Sequence, residues 1–288
     1  MALVQWQRRQ NLPCPHGSLA LKTPTALITG ASSGIGEALA RCFAEGGHRL
    51  VLVARSEGKL KALSTQLAAE FGVQASAHAA DLSQPAAAAL LAAALRRKRI
   101  AVDVLVNSAG VLEQGLFTDI PTERHQALVD LNVSGLTAML GHFLPPMLRR
   151  GRGRVLNVAS IAAFQPVPTL ATYAATKAYV LSLTESLAEE LAGSGVTVTA
   201  LCPGITATAM LGSATAANPQ LAQLPRVLVG DVDAVAREGY RACLAGEVIS
   251  VPGALNRALT VGGRIAPRWL VRRVAGAATR SQRKPAVP

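Results

Sequence analysis

The chain alternates short apolar runs with longer stretches in which apolar residues recur at helical spacing. The short runs are continuously apolar, which is typical of strands that are buried on both faces. The predicted strands are Ala26–Thr29, Arg49–Ala54, Gln74–His78, Val102–Val106, Arg154–Ala159, Thr197–Leu201 and Val248–Val251. The predicted helices lie near residues 34–46, 57–71, 84–98, 121–150, 172–192 and 231–245. This alternation predicts an α/β fold with a doubly wound, mostly parallel sheet of about seven strands and helices on both faces.

Length and composition favour one folded domain. The chain has 288 residues, of which 50% are hydrophobic, so it can bury a large core. No internal repeat or linker-like segment divides it. We therefore predict a single domain over residues 23–255, preceded by an N-terminal arm at residues 1–22 and followed by a basic extension at residues 256–288.

The formal charge of +12 is concentrated at the two ends of the chain, and the residues between them are nearly balanced. A nucleic-acid-binding domain would carry its basic patch on the fold itself, so we expect no nucleic-acid partner. The basic start has no apolar segment after it, and no apolar run reaches the length of a membrane span. We expect a cytoplasmic protein whose cysteines, Cys14, Cys42, Cys202 and Cys243, are reduced thiols without a metal.

The first predicted strand leads into the glycine-rich sequence TGASSGIG, residues 29–36. Glycines between a strand and a helix let the backbone approach a pyrophosphate, and the helix N-terminus supplies free N–H groups. The loop residues Gly30, Ser32, Ser33, Gly34, Ile35 and Gly36 are therefore candidate cofactor contacts. The spacing is G-x-x-x-G-x-G, and a plain glycine turn is the alternative interpretation.

The end of the second predicted strand indicates which dinucleotide would bind. An NAD site usually has a carboxylate there for the ribose 2′-hydroxyl, whereas this chain has Ala54 and Arg55. A guanidinium can pair with a 2′-phosphate through two hydrogen bonds. Arg55 therefore favours NADP(H) over NAD(H), although an exposed arginine after a strand is common.

Tyr173 precedes Lys177 by four residues at the start of a predicted helix, so the two side chains share one face. A phenol normally keeps its proton up to a pKa of about 10, and a nearby cation lowers that pKa. The pair is therefore suited to general acid–base catalysis. Such a pair also occurs by chance in many helices.

Further motifs follow in a characteristic order: NSAG at residues 107–110, NVAS at residues 157–160 and CPG at residues 202–204. With the glycine loop and the Tyr173–Lys177 pair, they make residues 23–255 resemble the short-chain dehydrogenase/reductase family, in its compact, NADP(H)-dependent oxidoreductase form with a Rossmann-type sheet. NSAG departs slightly from the commoner Asn-Asn-Ala-Gly, but Ser108 can still hydrogen-bond.

The resemblance implies a catalytic tetrad. Tyr173 would be the acid and base, Lys177 would activate it and hold the nicotinamide ribose, Ser160 would hydrogen-bond the substrate oxygen, and Asn132 would hold a relay water. Ser160 could instead cap a strand end, and Asn132 could be a satisfied buried amide.

The resemblance also implies further cofactor contacts. They are Asp81, Leu82, Asn107, Ala109, Gly110, Tyr173, Lys177, Pro203, Gly204, Thr206 and Thr208. Asp81 would lie near the adenine, and an N-cap of the 84–98 helix is its equal alternative.

The sequence thus predicts an oxidoreductase that interconverts a ketone or aldehyde with its alcohol. The weakly polar stretch after Gly204 favours an apolar substrate, and the family resemblance implies a homodimer or homotetramer. Near the C-terminus, Trp269, Leu270 and Val274 alternate with arginines in a short amphipathic helix. That helix could dock on the fold, contact an anionic membrane or contact another subunit. The alternative functions are a membrane-surface lipid or steroid carbonyl reductase and a non-catalytic NADP(H)-sensing protein.

Overall fold

The computed structural model of the protein describes residues 23–206, 229–265 and 267–279. The predicted cofactor contact Thr208 lies outside these residues. The strands are β1 (Thr25–Thr29), β2 (Arg49–Ala54), β3 (Ala75–Ala79), β4 (Val104–Asn107), β5 (Gly153–Val158), β6 (Val196–Leu201) and β7 (Ile249–Ser250). Each corresponds to a predicted strand, with ends that differ by at most two residues.

The described helices alternate with the strands. They are α1 (Gly34–Glu45), α2 (Glu57–Phe71), α3 (Ala87–Arg97), α4 (Thr122–Val129), α5 (Leu136–Arg149), α6 (Ala171–Glu190), α7 (Val232–Ala245), α8 (Ala254–Ile265) and α9 (Arg268–Thr279). A π-helical segment, Asp130–Gly135, joins α4 to α5, and short 3-10 segments occupy Phe117–Asp119 and Ile161–Phe164. Helix α8 is the one among these that the sequence pattern did not predict.

The seven strands form one parallel sheet in the order β3-β2-β1-β4-β5-β6-β7. The chain moves outward in one direction from β1 to β3 and then in the other from β4 to β7. The carboxyl ends of β1 and β4 therefore flank the switch point, where doubly wound sheets bind their ligands. The predicted doubly wound α/β fold is confirmed.

Each face of the sheet carries its own apolar core. On one face, Leu27, Leu105 and Val155 pack with residues of α3, α5 and α6, including Met139 and Val180. On the other face, β-strand residues pack with α1, α2 and α7. Because both faces are covered, the central strands β1, β2 and β4 have nearly continuous apolar runs, whereas β6 alternates valine with threonine and the edge strand β3 alternates alanine with polar residues.

The long helix predicted near 121–150 is interrupted by the π-helical segment, which places Asn132 in a buried position. Among the described residues, Thr122–Arg149 is the one stretch that is long and apolar enough to cross a membrane by length and composition. Its apolar residues Met139, Leu140, Phe143 and Met147 belong to the core over the sheet, which accounts for its hydropathy.

Candidate active site

The glycine loop is shaped by close backbone contacts between β1 and α1. Gly30 has a φ of +66°, and a Cβ there would lie 2.8 Å from the backbone nitrogen of Ala109. A Cβ on Gly36 would collide with the carbonyl of Gly30. Ser33 is the N-cap of α1 but makes no side-chain cap hydrogen bond, so the first N–H groups of the helix keep their donor capacity. The loop is thus a backbone cradle suited to an anion.

Thr29, the last residue of β1, fixes the NSAG loop beside this cradle. Its hydroxyl donates to the carbonyl of Val106 at 3.2 Å and accepts the N–H groups of Ser108 and Ala109 at 3.0 Å. Thr29 is nearly fully buried. Sequence analysis missed this residue, because a lone threonine at a strand end carries no recognisable signal.

Asn107 lies beneath the site rather than on its surface. Its amide nitrogen donates to Asn157 at 2.9 Å, and Asn157 donates to Thr184 at 3.0 Å, so the three form a buried polar chain across β4, β5 and α6. Asn107 does not line the cavity described below. It fixes the strand ends that carry the site, and a direct contact with the cofactor stays a prediction.

A cavity of about 630 Å³ runs over the carboxyl ends of the central strands. It joins the glycine cradle to the predicted catalytic residues Ser160, Tyr173 and Lys177. The other predicted residues on its wall are Gly30, Ser32, Ser33, Gly34, Ile35, Gly36, Arg55, Asp81, Leu82, Ala109, Gly110, Pro203, Gly204 and Thr206. The structure therefore brings together most of the predicted site in one place.

At one end of the cavity, Arg55 is accompanied by Ser56 and Lys59. Lys59 follows Arg55 by four residues and lies in the first turn of α2. Its neighbour Lys61 forms an ion pair with Glu57 at 2.7 Å, whereas no ion pair of Lys59 or Arg55 occurs within the described residues. Two cations without an acidic partner make this end positive. Sequence analysis identified Arg55 and missed Lys59, because a lysine in an exposed helix carries no local signal.

Tyr173 is buried in the first turns of α6, with an apolar cluster on one side and polar partners on the other. The cluster contains Leu128, Ala162 and Ala174. The Nζ of Lys177 lies 5.7 Å from the centre of the Tyr173 ring. Burial raises the pKa of the phenol, and a hydrogen bond with Ser160 offsets part of that rise. The phenol is therefore neutral near pH 7 and able to donate a proton.

Lys177 is buried, and its Nζ donates a hydrogen bond to the carbonyl of Val158 at 2.8 Å. Burial lowers the pKa of this ammonium from 10.5 to about 8. Sequence analysis expected the lysine to lower the pKa of the tyrosine. The structure instead shows the dominant effect of desolvation on both groups, because each loses water when it is buried.

Ser160 connects the end of β5 to Tyr173. Its hydroxyl accepts the N–H of Ala162 at 3.1 Å, so it caps the 3-10 segment that follows β5, whereas the alternative interpretation had it capping the strand end. The same hydroxyl also bonds to Tyr173 and lines the cavity. The two interpretations are compatible, since the cap fixes the position of the oxygen beside the phenol.

Asn132 is 1% exposed, and its side chain is fully hydrogen-bonded to protein groups. Its Oδ1 accepts the N–H of Val111 at 2.9 Å, and its Nδ2 donates to the carbonyl of Val111 at 3.0 Å and to Thr176 at 3.2 Å. Asn132 therefore anchors the loop that follows the NSAG motif. The role of a water holder stays a prediction.

Two further predicted contacts, Asp81 and Thr206, both lie on the cavity wall. Asp81 is not the N-cap of α3, which begins at Ala87; its Oδ1 instead accepts the N–H and hydroxyl of Ser83 at 3.1 and 2.8 Å. It lines the cavity, as an adenine-side residue would. Thr206 also lines the cavity, and its hydroxyl donates to the carbonyl of Gly204 at 3.0 Å.

Beyond Ser160 and Tyr173, the cavity is walled by residues that sequence analysis did not single out. They are Val111, Leu112, Gln114, Ile161, Ala162, Gln165, Val167 and Leu170. These residues come from the loops after β4 and β5, so only the folded chain brings them together. We call this part of the cavity the substrate half. Its described side chains carry no formal charge.

Comparisons with known proteins show the family to which the chain belongs. The short chain dehydrogenase family model matches residues 24–219. The Escherichia coli oxidoreductase UcpA is 38% identical over 198 residues, which cover 68% of this chain and 74% of that protein.

Two solved structures are similar over most of the chain. A short-chain dehydrogenase from Sphingobium yanoikuyae, in complex with NADPH, is 34% identical with a TM-score of 0.74 and covers 92% of this chain and 98% of its own. A bulky-bulky ketone specific alcohol dehydrogenase from Comamonas testosteroni is 30% identical with a TM-score of 0.70. The match covers 92% of this chain and 96% of the Comamonas chain.

Proposed function

This chain belongs to the short-chain dehydrogenase/reductase family, and from that premise we propose that it is an NADP(H)-dependent enzyme that interconverts a ketone or aldehyde with its alcohol. The observation that carries the proposal is one continuous cavity. It has a phosphate cradle in its middle, two cations without an ion pair among the described residues at one end, and Ser160, Tyr173 and Lys177 towards the other.

The residues of the cavity fit a phosphorylated dinucleotide. A Cβ at Gly30 or Gly36 would collide with the backbone of Ala109 or of Gly30 itself, so glycine at both positions lets the strand–helix turn close into the cradle. The cradle suits the pyrophosphate. Arg55 and Lys59 suit a 2′-phosphate, which matches the NADPH in the similar Sphingobium structure. Lys177 would hold the nicotinamide ribose.

When bound, NADPH would supply a hydride. The residues of this chain position the carbonyl oxygen of the substrate and deliver a proton to it. Ser160 donates a hydrogen bond to the carbonyl oxygen and so fixes it beside Tyr173. Tyr173, held neutral by burial, donates its proton to that oxygen. The ammonium of Lys177 stabilises the phenolate that remains, because opposite charges attract strongly at a buried site. In the oxidation direction the same groups act in reverse.

The substrate half favours an uncharged and fairly large carbonyl compound, since aliphatic side chains form most of its wall. The similar Comamonas enzyme is described as specific for bulky-bulky ketones, which supports this proposal. A panel of aliphatic, aromatic and polycyclic ketones and aldehydes, followed by the loss of NADPH absorbance, would test the function. We expect turnover of bulky neutral members, and no turnover of any member would contradict the proposal.

Replacing Arg55 by alanine should weaken NADPH binding. The variant loses a charge-assisted hydrogen bond worth about 1.5–3 kcal/mol, which corresponds to about a tenfold to hundredfold loss of affinity. Isothermal titration calorimetry with NADPH and NADH separates the two cofactors. We expect a large loss for NADPH and little change for NADH, which has no 2′-phosphate.

Lys61→Ala is the matched control, since Lys61 lies on α2 six residues after Arg55 but pairs with Glu57 and does not line the cavity. It should leave both affinities unchanged. Lys59→Ala should weaken NADPH in the same direction as Arg55→Ala. Equal losses of NADPH and NADH in Arg55→Ala would show that Arg55 supports the structure rather than the phosphate.

The C-terminal helices favour a second proposal, weak contact with an anionic membrane that delivers apolar substrates. Leu255 and Leu259 are 49% and 55% exposed on α8, and Trp269 is 55% exposed on α9. The Arg273 guanidinium lies 5.8 Å from the centre of the Trp269 ring. Exposed apolar residues beside arginines are typical of helices that lie on a membrane surface.

A variant lacking residues 266–288 should lose this contact. The full chain should co-sediment with phosphatidylserine vesicles, since each cation near such a surface contributes about 1 kcal/mol, and added salt should release it. Phosphatidylcholine vesicles are the control and should bind neither form. The truncated variant should keep its turnover of soluble ketones; if it is insoluble or inactive, the extension belongs to the fold or to a subunit interface.

The remaining expectations stand as proposals alongside these. We propose a cytoplasmic homodimer or homotetramer, with the membrane contact reversible, and a single catalytic domain over residues 23–255. A purely NADP(H)-sensing protein is less well supported, because it would need the cradle but not the buried Ser160–Tyr173–Lys177 group.

A further inference from the structure

Two loop segments that wall the substrate half, residues 111–116 and 165–170, are joined by a backbone hydrogen bond. The N–H of Gly115 donates to the carbonyl of Thr169 at 3.0 Å. Thr169 has a φ of +69°, which is strained for a β-branched residue. Such a conformation persists only where the surroundings fix it, and it is more frequent at functional sites. The join therefore holds the two segments at a set separation.

His125 ties the same region to the catalytic helix. Its Nε2 lies 3.0 Å from the carbonyl of Phe117, which can only accept, so Nε2 carries the proton. Its Nδ1 lies 2.8 Å from the hydroxyl of Thr172, the residue before Tyr173. The Phe117 ring stacks on the imidazole at 4.2 Å. The wall of the substrate half is thus fixed relative to the catalytic tyrosine.

The described wall of the substrate half contains no charged side chain. The acidic residue nearest in sequence, Glu113, is not on the cavity wall and forms an ion pair with Arg124 at 3.3 Å. A carboxylate or ammonium on a substrate would therefore lose water in the substrate half without gaining a charged partner among the described residues, which is unfavourable. The described wall selects neutral molecules.

Two amide side chains are the exceptions to its apolar character. Gln114 and Gln165 both line the cavity, and neither makes a hydrogen bond within the part of the chain that the structure describes. Gln165 is exposed, so water can hydrogen-bond its amide group. Gln114 is half-buried, so water reaches its amide group less easily. Gln114 also lies directly before Gly115, whose N–H is fixed by Thr169. Gln114 is therefore better positioned than Gln165 to hydrogen-bond a substrate in the cavity.

We propose that Gln114 is a specificity residue, which hydrogen-bonds a second oxygen of an uncharged ketone, remote from the reacting carbonyl. The inference rests on the proposed function, because it assigns a substrate class to the same cavity. When a polar side chain of a binding site hydrogen-bonds the substrate, the site discriminates strongly against analogues that lack the matching group. The side chain is left without a hydrogen-bond partner when such an analogue binds. The substrate class is a bulky neutral ketone that bears a hydroxyl or a further carbonyl group.

The test compares pairs of ketones that differ in that one group. Benzylacetone derivatives with a meta- or para-hydroxyl group are compared with the corresponding methyl derivatives, which match them in size. In the wild-type enzyme, kcat/KM should be about tenfold higher for at least one hydroxyl derivative than for its methyl counterpart. In Gln114→Leu this ratio should fall to about one, mainly through KM. Calorimetry of the same ketones without turnover should show the same loss of preference.

Gln66→Leu is the matched control, because Gln66 is exposed on α2, away from the cavity, and should leave the ratio unchanged. A wild-type enzyme that reduces hydroxyl and methyl derivatives equally well would overturn the proposal, as would a preference that survives in Gln114→Leu. A wild-type enzyme that reduces none of the ketones would instead contradict the proposed function. The two failures are therefore distinguishable.

Discussion

Tyr173→Phe should retain its fold and its affinity for NADPH but lose turnover by about 10²- to 10⁴-fold, the usual contribution of a general acid. Phenylalanine keeps the ring that packs against Leu128, Ala162 and Ala174. The variant loses only the hydroxyl group, which supplies the proton to the substrate oxygen in the proposed mechanism. Because that hydroxyl bonds to Ser160 alone among the described residues, its removal should change the free energy of unfolding little.

Steady-state turnover with a bulky ketone, NADPH titration and thermal unfolding measure the three quantities separately. Ser160→Ala in the Tyr173→Phe background should add only a small further loss, because the two hydroxyls act on the same oxygen. Near wild-type turnover of Tyr173→Phe would contradict the assignment of the proton donor. Loss of NADPH binding as well would show instead that the phenol supports the cavity.

The sequence predicted the fold well, because its signals are local. Continuous apolar runs, such as the one that forms β2 (Arg49–Ala54), can only be buried on both faces, and their alternation with helices predicts a parallel sheet. The cradle was also predictable, since Gly30 and Gly36 stand at a strand–helix junction that tolerates no Cβ. Tyr173 and Lys177 share a helix, so their proximity follows from a spacing of four residues.

The remainder of the site depends on contacts between segments far apart in the chain. Thr29 fixes a loop about 80 residues later in sequence, and no local pattern indicates that pairing. Gln114 and Gln165 meet in one cavity because β4 and β5 are neighbours in the sheet. Helix α8 was missed because Gly262 and Gly263 weaken the helical pattern of the sequence.

Asn132 and Tyr173 show a related limit of what the sequence can predict. The sequence identified both residues, but the hydrogen bonds of Asn132 to Val111 and the raised pKa of Tyr173 depend on burial. Burial is a property of the whole packed chain, and a motif does not report it. The sequence therefore predicted which residues share the cavity better than it predicted their environment.

Lys177→Met should abolish most of the turnover and at the same time stabilise the cofactor-free protein. The turnover should fall because the variant lacks the Lys177 ammonium, which in the proposed mechanism stabilises the Tyr173 phenolate and holds the ribose. The stability rises because the folded protein no longer buries a charge. Burial lowers the pKa of Lys177 from 10.5 to about 8, so at pH 7 the folded state carries a cost of about 3 kcal/mol. The lost hydrogen bond to Val158 offsets about 1–2 kcal/mol of that gain.

The pH dependence makes this prediction specific. The unfolded chain keeps the lysine proton up to about pH 10.5, whereas the folded chain releases it near pH 8, so the unfolded state binds more protons between these values. The cost of the buried charge is thus complete below pH 8 and declines as the pH rises towards 10.5. Thermal unfolding of both forms at pH 7 and pH 10 should show that Lys177→Met raises Tm by several degrees at pH 7 and by less at pH 10. Tyr173 stays neutral through most of this range, because burial raises its pKa above 10, and it is common to both forms. If Lys177→Met instead lowers Tm by the same amount at both pH values, Lys177 stabilises the fold. Its buried charge would then carry no cost in stability, which would contradict the prediction.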